Sequence, residues 1–346
     1  MQDRLEPLRH EIDLATIRFA AWRWSPPAGA EAAGRRLVIL HGVTASAMAF
    51  DEVARAIASD GWTVDALDLP GHGGTRWLDA DGAPLADQES VGADAYELQR
   101  VGDLVAAAVR ALPPVSPPPG GERSRFETEG AASGAGQPRL ASGQSSATHD
   151  APVILGHSWG AGVAVMAIDA GAPVRHLVLL DPPFLTPQQG IEMAEGFRAE
   201  LRPEAAEGFR AELRPEDAAR RPEMARAEVL APVHDPGTTD RDPESGARAL
   251  PQTSPLAADS IARGAPLDPI RLMAEWRSRH PDLPVDVIAG DPLAGGLVPA
   301  PIQSLLRMAL GAAHVHALPG LGHSPHNEDL GRFLEVLRGV LGSPDA

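Results

Sequence analysis

A serine lies at the centre of the stretch GHSWG at residues 156–160, which fits the pattern G-x-S-x-G. A short apolar run, 153–155, precedes this stretch, and a run of small apolar residues, 161–170, follows it. The order predicts a buried strand, a tight turn and a helix. A serine at such a turn takes a strained backbone conformation and projects from the end of the sheet, toward the free N–H groups of the helix. Ser158 is therefore a candidate nucleophile.

A serine hydroxyl reacts well only when a base takes its proton and a third group orients that base. In a sheet of this kind, such groups lie on loops at the carboxyl ends of strands. After Ser158, the ends of the predicted strands offer Asp181, Asp291 and the loop 320–326, which contains His323. Both aspartates remain open as the acid at this stage.

The hydrophobic pattern predicts the elements that would hold these residues. Apolar runs predict strands at 37–40, 62–68, 153–155, 174–180, 285–289 and 313–318, after a pair of antiparallel strands within 12–24. Helical segments are predicted between them at 47–59, 93–112, 267–279, 301–310 and 325–341, the last capped by Ser324. This alternation indicates a parallel sheet with right-handed crossovers.

Composition narrows the classes of partner and compartment. The 346 residues carry 30 basic and 47 acidic side chains, a formal net charge of −17, and no cysteine. The acidic balance argues against nucleic acid or an anionic membrane as a partner, and the lack of cysteine excludes disulfides, a thiolate nucleophile and cysteine zinc sites. No apolar run approaches the roughly 20 residues of a membrane helix, and the N-terminus lacks the apolar stretch of a secretory signal. We expect a cytoplasmic protein.

Two segments interrupt the pattern of strands and helices. Residues 113–150 are rich in proline, glycine and serine, and we predict a disordered insertion there because they offer too little apolar surface to offset the entropy of ordering. Residues 182–266 are rich in glutamate, arginine, alanine and proline, which favours helices and loops. They include a duplication, AEGFRAELRPE at 194–204 and again at 206–216, which we interpret as a lengthened surface element rather than a structural repeat.

Four motifs together resemble those of the α/β-hydrolase fold family, in its cap-bearing form. They are HG at 41–42, DLPGHGG at 68–74, GHSWG at 156–160 and GH at 322–323, each after a predicted strand. The order Ser, Asp, His along the chain also agrees with that fold. The resemblance implies an α/β fold with a mostly parallel eight-stranded sheet flanked by helices, and a helical cap inserted after strand 6. The domains would be a core in two parts, 1–181 and 267–346, with 113–150 disordered, and a cap at 182–266.

Site residues follow from the resemblance by position. Ser158 matches the nucleophile and His323 the general base. The backbone N–H groups of Val43 and Trp159 match the oxyanion hole, which stabilises the charge that develops during acyl transfer. The His41 side chain is interpreted as an organiser of its loop rather than a catalyst.

The acid is less tightly specified by the family pattern. In similar proteins it follows the strand before the last, which favours Asp291, although glycines are placed differently around it here. Asp181, at the end of the preceding strand, is the alternative. His316 and His326 compete with His323 for the role of base, but His326 falls within the predicted last helix and is interpreted as structural or pocket-lining.

The predicted activity is hydrolysis of a small ester or thioester through a Ser-His-Asp triad and an acyl-enzyme intermediate. The serine at the turn argues against epoxide hydrolase and dehalogenase chemistry, which uses aspartate there. An acyltransferase, a proline-iminopeptidase-like or haloperoxidase-like enzyme, and a non-catalytic ligand-binding protein remain alternatives. A small-molecule substrate is expected, with no cofactor and no metal, since His314 and His316 alone lack a third ligand. The oligomeric state is left open.

Overall fold

The computed structural model describes residues 5–27, 34–115, 151–184, 191–192, 195, 254, 256–257 and 275–342. Its strands are β1 Leu8–Asp13, β2 Ile17–Trp24, β3 Arg36–Leu40, β4 Thr63–Leu67, β5 Arg76–Trp77, β6 Val153–His157, β7 His176–Leu180, β8 Val285–Gly290 and β9 Val315–Leu318. Its helices are α1 Asp51–Ser59, α2 Leu98–Ala111, α3 Trp159–Asp169, α4 Arg277–Arg279, α5 Ala300–Leu310, α6 Pro325–Glu328 and α7 Leu330–Leu341.

All described strands join one sheet in the order β1-β2-β4-β3-β6-β7-β8-β9, with β5 paired to β2. The strands from β4 to β9 along this order are parallel, and β1, β2 and β5 pair antiparallel beyond β4. The carboxyl ends of the six parallel strands therefore meet at one edge of the sheet, where loops from distant parts of the chain come together.

Helices cover both faces of this sheet. Successive side chains of a strand point to opposite faces: in β3, Val38 and Leu40 belong to one buried cluster, and Leu37 and Ile39 belong to the other. The first cluster contains apolar residues of α2 and α3, and the second contains those of α1 and α7. Burial on both faces explains why the central strands are continuous apolar runs.

The α/β-hydrolase architecture expected from the motifs is confirmed, with differences in detail. The sheet has nine described strands rather than eight, because the two residues Arg76–Trp77 form β5 against β2. The predicted last helix is two helices, since Asp329 interrupts it and caps α7 by accepting a hydrogen bond from the amide of Arg332 at 3.1 Å. The side chain of Ser324, predicted to be the cap, makes no capping hydrogen bond.

The predicted insertion and cap lie largely outside the described residues. Of 113–150 only 113–115 are described, and of 182–266 only 182–184, 191–192, 195, 254 and 256–257. The duplicated stretch at 194–216 is outside them, apart from residue 195. No helix among the described segments has the length and apolar character to cross a membrane.

Candidate active site

Ser158 occupies the turn between β6 and α3, as the strand-turn-helix pattern predicts. Its φ of 54° is in the left-handed region, which a residue with a side chain adopts at a cost, and its amide donates to the carbonyl of Leu180 at 3.0 Å. A Cβ atom on Gly156 would lie 2.4 Å from the carbonyl oxygen of Gly160, and one on Gly160 would lie 2.3 Å from that of Leu40. Both glycines of the motif are therefore required by close approach of the backbone.

His323 and Asp181 complete a hydrogen-bonded group with Ser158, which we call the triad. The Nε2 atom of His323 lies 2.9 Å from Oγ of Ser158, and its Nδ1 atom lies 2.7 Å from Oδ2 of Asp181. Because a carboxylate can only accept, Nδ1 carries the hydrogen of the neutral ring, and Nε2 is free to accept a proton from the serine. The three residues come from the ends of β6 and β7 and from the loop after β9.

The backbone directs the Asp181 carboxylate into the triad and supplies it with donors. Asp181 follows β7 directly, and its φ of 39° is again in the left-handed region. The carboxylate is fully buried and accepts hydrogen bonds from the amides of Gly290 at 2.9 Å and Leu297 at 2.8 Å, as well as from His323. Three donors thus hold this charge in place.

Asp291, the residue favoured from the sequence as the partner of His323, does not contact it, and that prediction is corrected. Its side chain accepts from the amides of Leu293 at 2.9 Å and Gly320 at 2.8 Å, so it caps a short 3-10 turn and fastens the loop after β9. These hydrogen bonds from Gly320 and Leu293 lower the pKa of Asp291. The carboxylate of Asp291 is thus bonded to backbone amides, whereas the ring of His323 bonds to Asp181.

Val43 and Trp159, predicted to offer backbone N–H groups, lie at the same edge of the sheet. Trp159 is the first residue of α3, so its amide has no acceptor within the helix. Val43 lies in the loop after β3, next to Gly42, on which a Cβ atom would lie 3.1 Å from Cβ of Ser158. This close approach puts the backbone of the loop beside the serine.

Two residues that support the His323 loop were missed from the sequence. The buried ring of His157 faces the carbonyl oxygen of His323 through Nε2 at 2.9 Å. The carboxylate of Glu328 accepts from the amides of Gly322 at 2.5 Å and Ser324 at 3.2 Å, which are the residues on either side of His323. His157 lies inside the GHSWG motif, but nothing in the motif tells which backbone group its ring meets.

Four buried histidines surround the triad: His41, His72, His157 and His326. Burial lowers the pKa of each of them, because a charged imidazole would lose its hydration there. For His326, burial and then the neighbouring His323 lower the pKa to about 3. The ring of His326 stacks on Phe50 with centroids 4.3 Å apart, which supports its interpretation as a structural residue. At neutral pH, these four rings are uncharged.

His314 and His316 lie away from the triad and meet a carboxylate. Asp286 of β8 is 2.7 Å from Nε2 of His316, 2.8 Å from Nε2 of His176 and 3.3 Å from Nδ1 of His314. Burial raises the pKa of Asp286, but these three hydrogen bonds outweigh it and lower the pKa below the ordinary range. Within the described part of the chain, no group of three or more histidine, cysteine, aspartate or glutamate residues is arranged to hold a metal ion.

Comparison with known proteins agrees with the fold. The sequence model of the alpha/beta hydrolase family matches residues 37–336, so the chain belongs to this family. No curated protein matches the sequence.

Solved structures with the same fold include several hydrolases. An E-2-(acetamidomethylene)succinate hydrolase superposes with a TM-score of 0.62 at 17% identity, covering 99% of this chain and 100% of that chain. The N-acyl homoserine lactonase AidH complexed with N-butanoyl homoserine gives 0.59 at 15% identity, with 96% of each chain covered. An N-formylmaleamic acid deformylase from Pseudomonas putida S16 gives 0.56 at 14% identity, covering 95% and 99%. At such identities the likeness concerns the fold.

Proposed function

We propose that this α/β hydrolase is a serine hydrolase that cleaves a small ester or thioester through an acyl-enzyme intermediate. The observation that carries the proposal is the chain of two hydrogen bonds, at 2.9 Å and 2.7 Å, that joins Ser158 to His323 and His323 to Asp181. This arrangement matches the requirement of a nucleophile, a base and a group that orients the base.

In the first half of the reaction, Oγ of Ser158 attacks the acyl carbon while Nε2 of His323 takes the hydroxyl proton. The buried Asp181 carboxylate stabilises the imidazolium that forms, because it already accepts the Nδ1 hydrogen. His323 then gives the proton to the departing alcohol or thiol, and Ser158 keeps the acyl group. A water molecule repeats the sequence on the acyl-enzyme, releases the acid and restores the serine.

The charge on the acyl oxygen requires donors that are aimed at it before the reaction. We assign this role to the amides of Val43 and Trp159. Trp159 supports the assignment because its N–H is the first of α3, where the helix dipole also favours negative charge. Val43 supports it because its loop lies against Ser158.

The test is a burst assay with p-nitrophenyl acetate and p-nitrophenyl butyrate, together with labelling by a fluorophosphonate probe. Esters come first because one structural neighbour is named a lactonase, and a lactone is a cyclic ester. We expect wild type to show a burst and a label, and Ser158→Ala to lose both. Ser304→Ala is the matched control, since Ser304 lies on α5 and donates only to its own helix, at Ala300. A folded wild type with neither burst nor label would refute the proposal.

A further inference from the structure

The ring of His41 holds a defined tautomer, which its two hydrogen bonds determine. The amide of Leu69 donates to Nε2 at 3.0 Å, so Nε2 must carry a lone pair. Nδ1 lies 2.7 Å from the carbonyl oxygen of Gly42, and it therefore carries the hydrogen and donates. The ring is fully buried, so neither bond is replaced by water.

The acceptor of this bond belongs to the same peptide group as the amide of Val43. In a trans peptide the carbonyl and the N–H point in opposite directions. When His41 holds the carbonyl of Gly42 on its own side, the N–H of Val43 is directed away from His41. Gly42 lies against Ser158, since a Cβ atom on it would be 3.1 Å from Cβ of Ser158.

A second buried imidazole, that of His72, lies at the carbonyl oxygen of Val43. The Nε2 atom of His72 is 2.5 Å from the carbonyl oxygen of Val43, and the rings of His41 and His72 meet edge to face with centroids 4.9 Å apart. Each of the two peptide groups that contain atoms of Val43 therefore has its carbonyl oxygen within hydrogen-bond distance of a buried imidazole nitrogen. A flip of the Gly42–Val43 peptide would break the bond to His41.

We propose that His41 is a positioning residue that orients the Gly42–Val43 peptide, so that the N–H of Val43 faces the acyl oxygen. The inference rests on the proposed function for its catalytic consequence, but the orientation of the peptide can be measured independently. Leu69 sets the tautomer of His41, and the tautomer sets which end of the peptide faces Ser158. The loop after β4 thus contributes to the site without touching substrate.

If His41 had a purely structural role, two variants that each remove one of its hydrogen bonds would lose the same amount of activity. If His41 positions the peptide, the variant that loses the bond to Gly42 should lose more. The amide nitrogen of asparagine is two bonds from Cβ, as is Nδ1 of histidine. His41→Asn therefore keeps a donor for the carbonyl of Gly42 and loses the acceptor for the amide of Leu69. Glutamine reaches one bond further, so His41→Gln keeps the acceptor and loses the donor. Each variant removes one buried hydrogen bond, and we expect both to unfold at similar urea concentrations.

The expected result is a difference in turnover at similar stability. Loss of one oxyanion donor costs about 10²- to 10³-fold in kcat. Gly42 also accepts from the amide of Ala45 at 3.1 Å, which partly holds the peptide, so we expect His41→Gln to lose about 10- to 100-fold in kcat with little change in KM. His41→Asn should lose less than about tenfold. Equal losses in the two variants would overturn the proposal.

Nitrogen NMR gives a readout that does not depend on activity. The ring of His41 should show a protonated Nδ1 and a bare Nε2, and the amide signal of Val43 should shift in His41→Gln more than in His41→Asn. A protonated Nε2, or equal shifts in both variants, would overturn the inference even in an active enzyme. If the wild-type protein neither hydrolyses the p-nitrophenyl esters nor reacts with the fluorophosphonate probe, the proposed function fails. The NMR result still decides the orientation of the Gly42–Val43 peptide.

Discussion

Replacement of Asp181 by asparagine tests the assignment of the acid. In the native site, Oδ1 accepts from Gly290, and Oδ2 accepts from both Leu297 and His323. An asparagine has one oxygen and one NH₂ group, so either orientation sets its NH₂ against a backbone N–H. If the NH₂ faces His323, the ring must take the tautomer with hydrogen on Nε2, which cannot accept the serine proton. Such a tautomer error costs about 10⁴-fold, or roughly 5.5 kcal/mol of transition-state stabilisation.

If the oxygen of asparagine faces His323 instead, the correct tautomer survives, but the imidazolium loses its charged partner. A hydrogen bond to a charged group contributes about 1.5–3 kcal/mol, so the loss is then roughly 10- to 150-fold. We therefore expect Asp181→Asn to lower kcat/KM for p-nitrophenyl butyrate by between about 10- and 10⁴-fold. Unfolding in urea, measured in parallel, separates this loss from a loss of folded protein.

Asp291→Asn is the matched control, since it makes the same change at the end of the neighbouring strand. Asp291 bonds only backbone amides of Leu293 and Gly320, so its variant should stay within about threefold of wild type in kcat/KM. The reasoning is refuted if Asp291→Asn loses as much activity as Asp181→Asn, or if Asp181→Asn retains wild-type turnover.

Two further predictions concern stability. Gly160→Ala places a Cβ atom 2.3 Å from the carbonyl oxygen of Leu40, so it should lower the free energy of unfolding in urea by about 3 kcal/mol or more. Gly339→Ala is the control: this glycine has open space around it in α7, so the substitution should raise the free energy of unfolding by about 0.5–1 kcal/mol. Equal effects of the two substitutions would contradict the packing argument. Buried His326, with its pKa lowered to about 3, stays neutral as the unfolded chain takes up protons below about pH 6.5. As pH is lowered from about 6.5 to about 3, the free energy of unfolding should therefore fall by up to about 1.4 kcal/mol per pH unit. If His326→Phe shows the same slope of unfolding free energy against pH as wild type, His326 is not the source of this loss.

Local pattern was sufficient for the residues whose role depends on their own segment. An apolar strand, a turn with closely approached glycines and a helix define Ser158, and they also make Trp159 the first helical residue. Likewise, the GH pair after the last strand identified His323. The structure places Ser158 at this turn and His323 in the loop after β9, and the turn between consecutive elements determines where the Ser158 side chain points.

The carboxylate that meets His323 could not be chosen in this way, because Asp181 and Asp291 follow adjacent parallel strands and both reach the same edge of the sheet. The choice depends on the left-handed backbone of Asp181 and on amides of Gly290 and Leu297, which come from the loop after the next strand. Spacing along one segment contains no information on such contacts between segments.

The parallel sheet and most of its alternating strands and helices could be predicted from the residues alone, as could the positions of Ser158 at a turn and His323 in a loop after a strand, since periodicity and short motifs act within a few residues. Hydrogen bonds between distant segments could be identified only from the tertiary structure. His41 is tied to Leu69, His157 to the carbonyl of His323, and Asp181 rather than Asp291 to the ring of His323. Each of these hydrogen bonds joins atoms at least 28 residues apart, so its partner is set by how the strands align in the sheet.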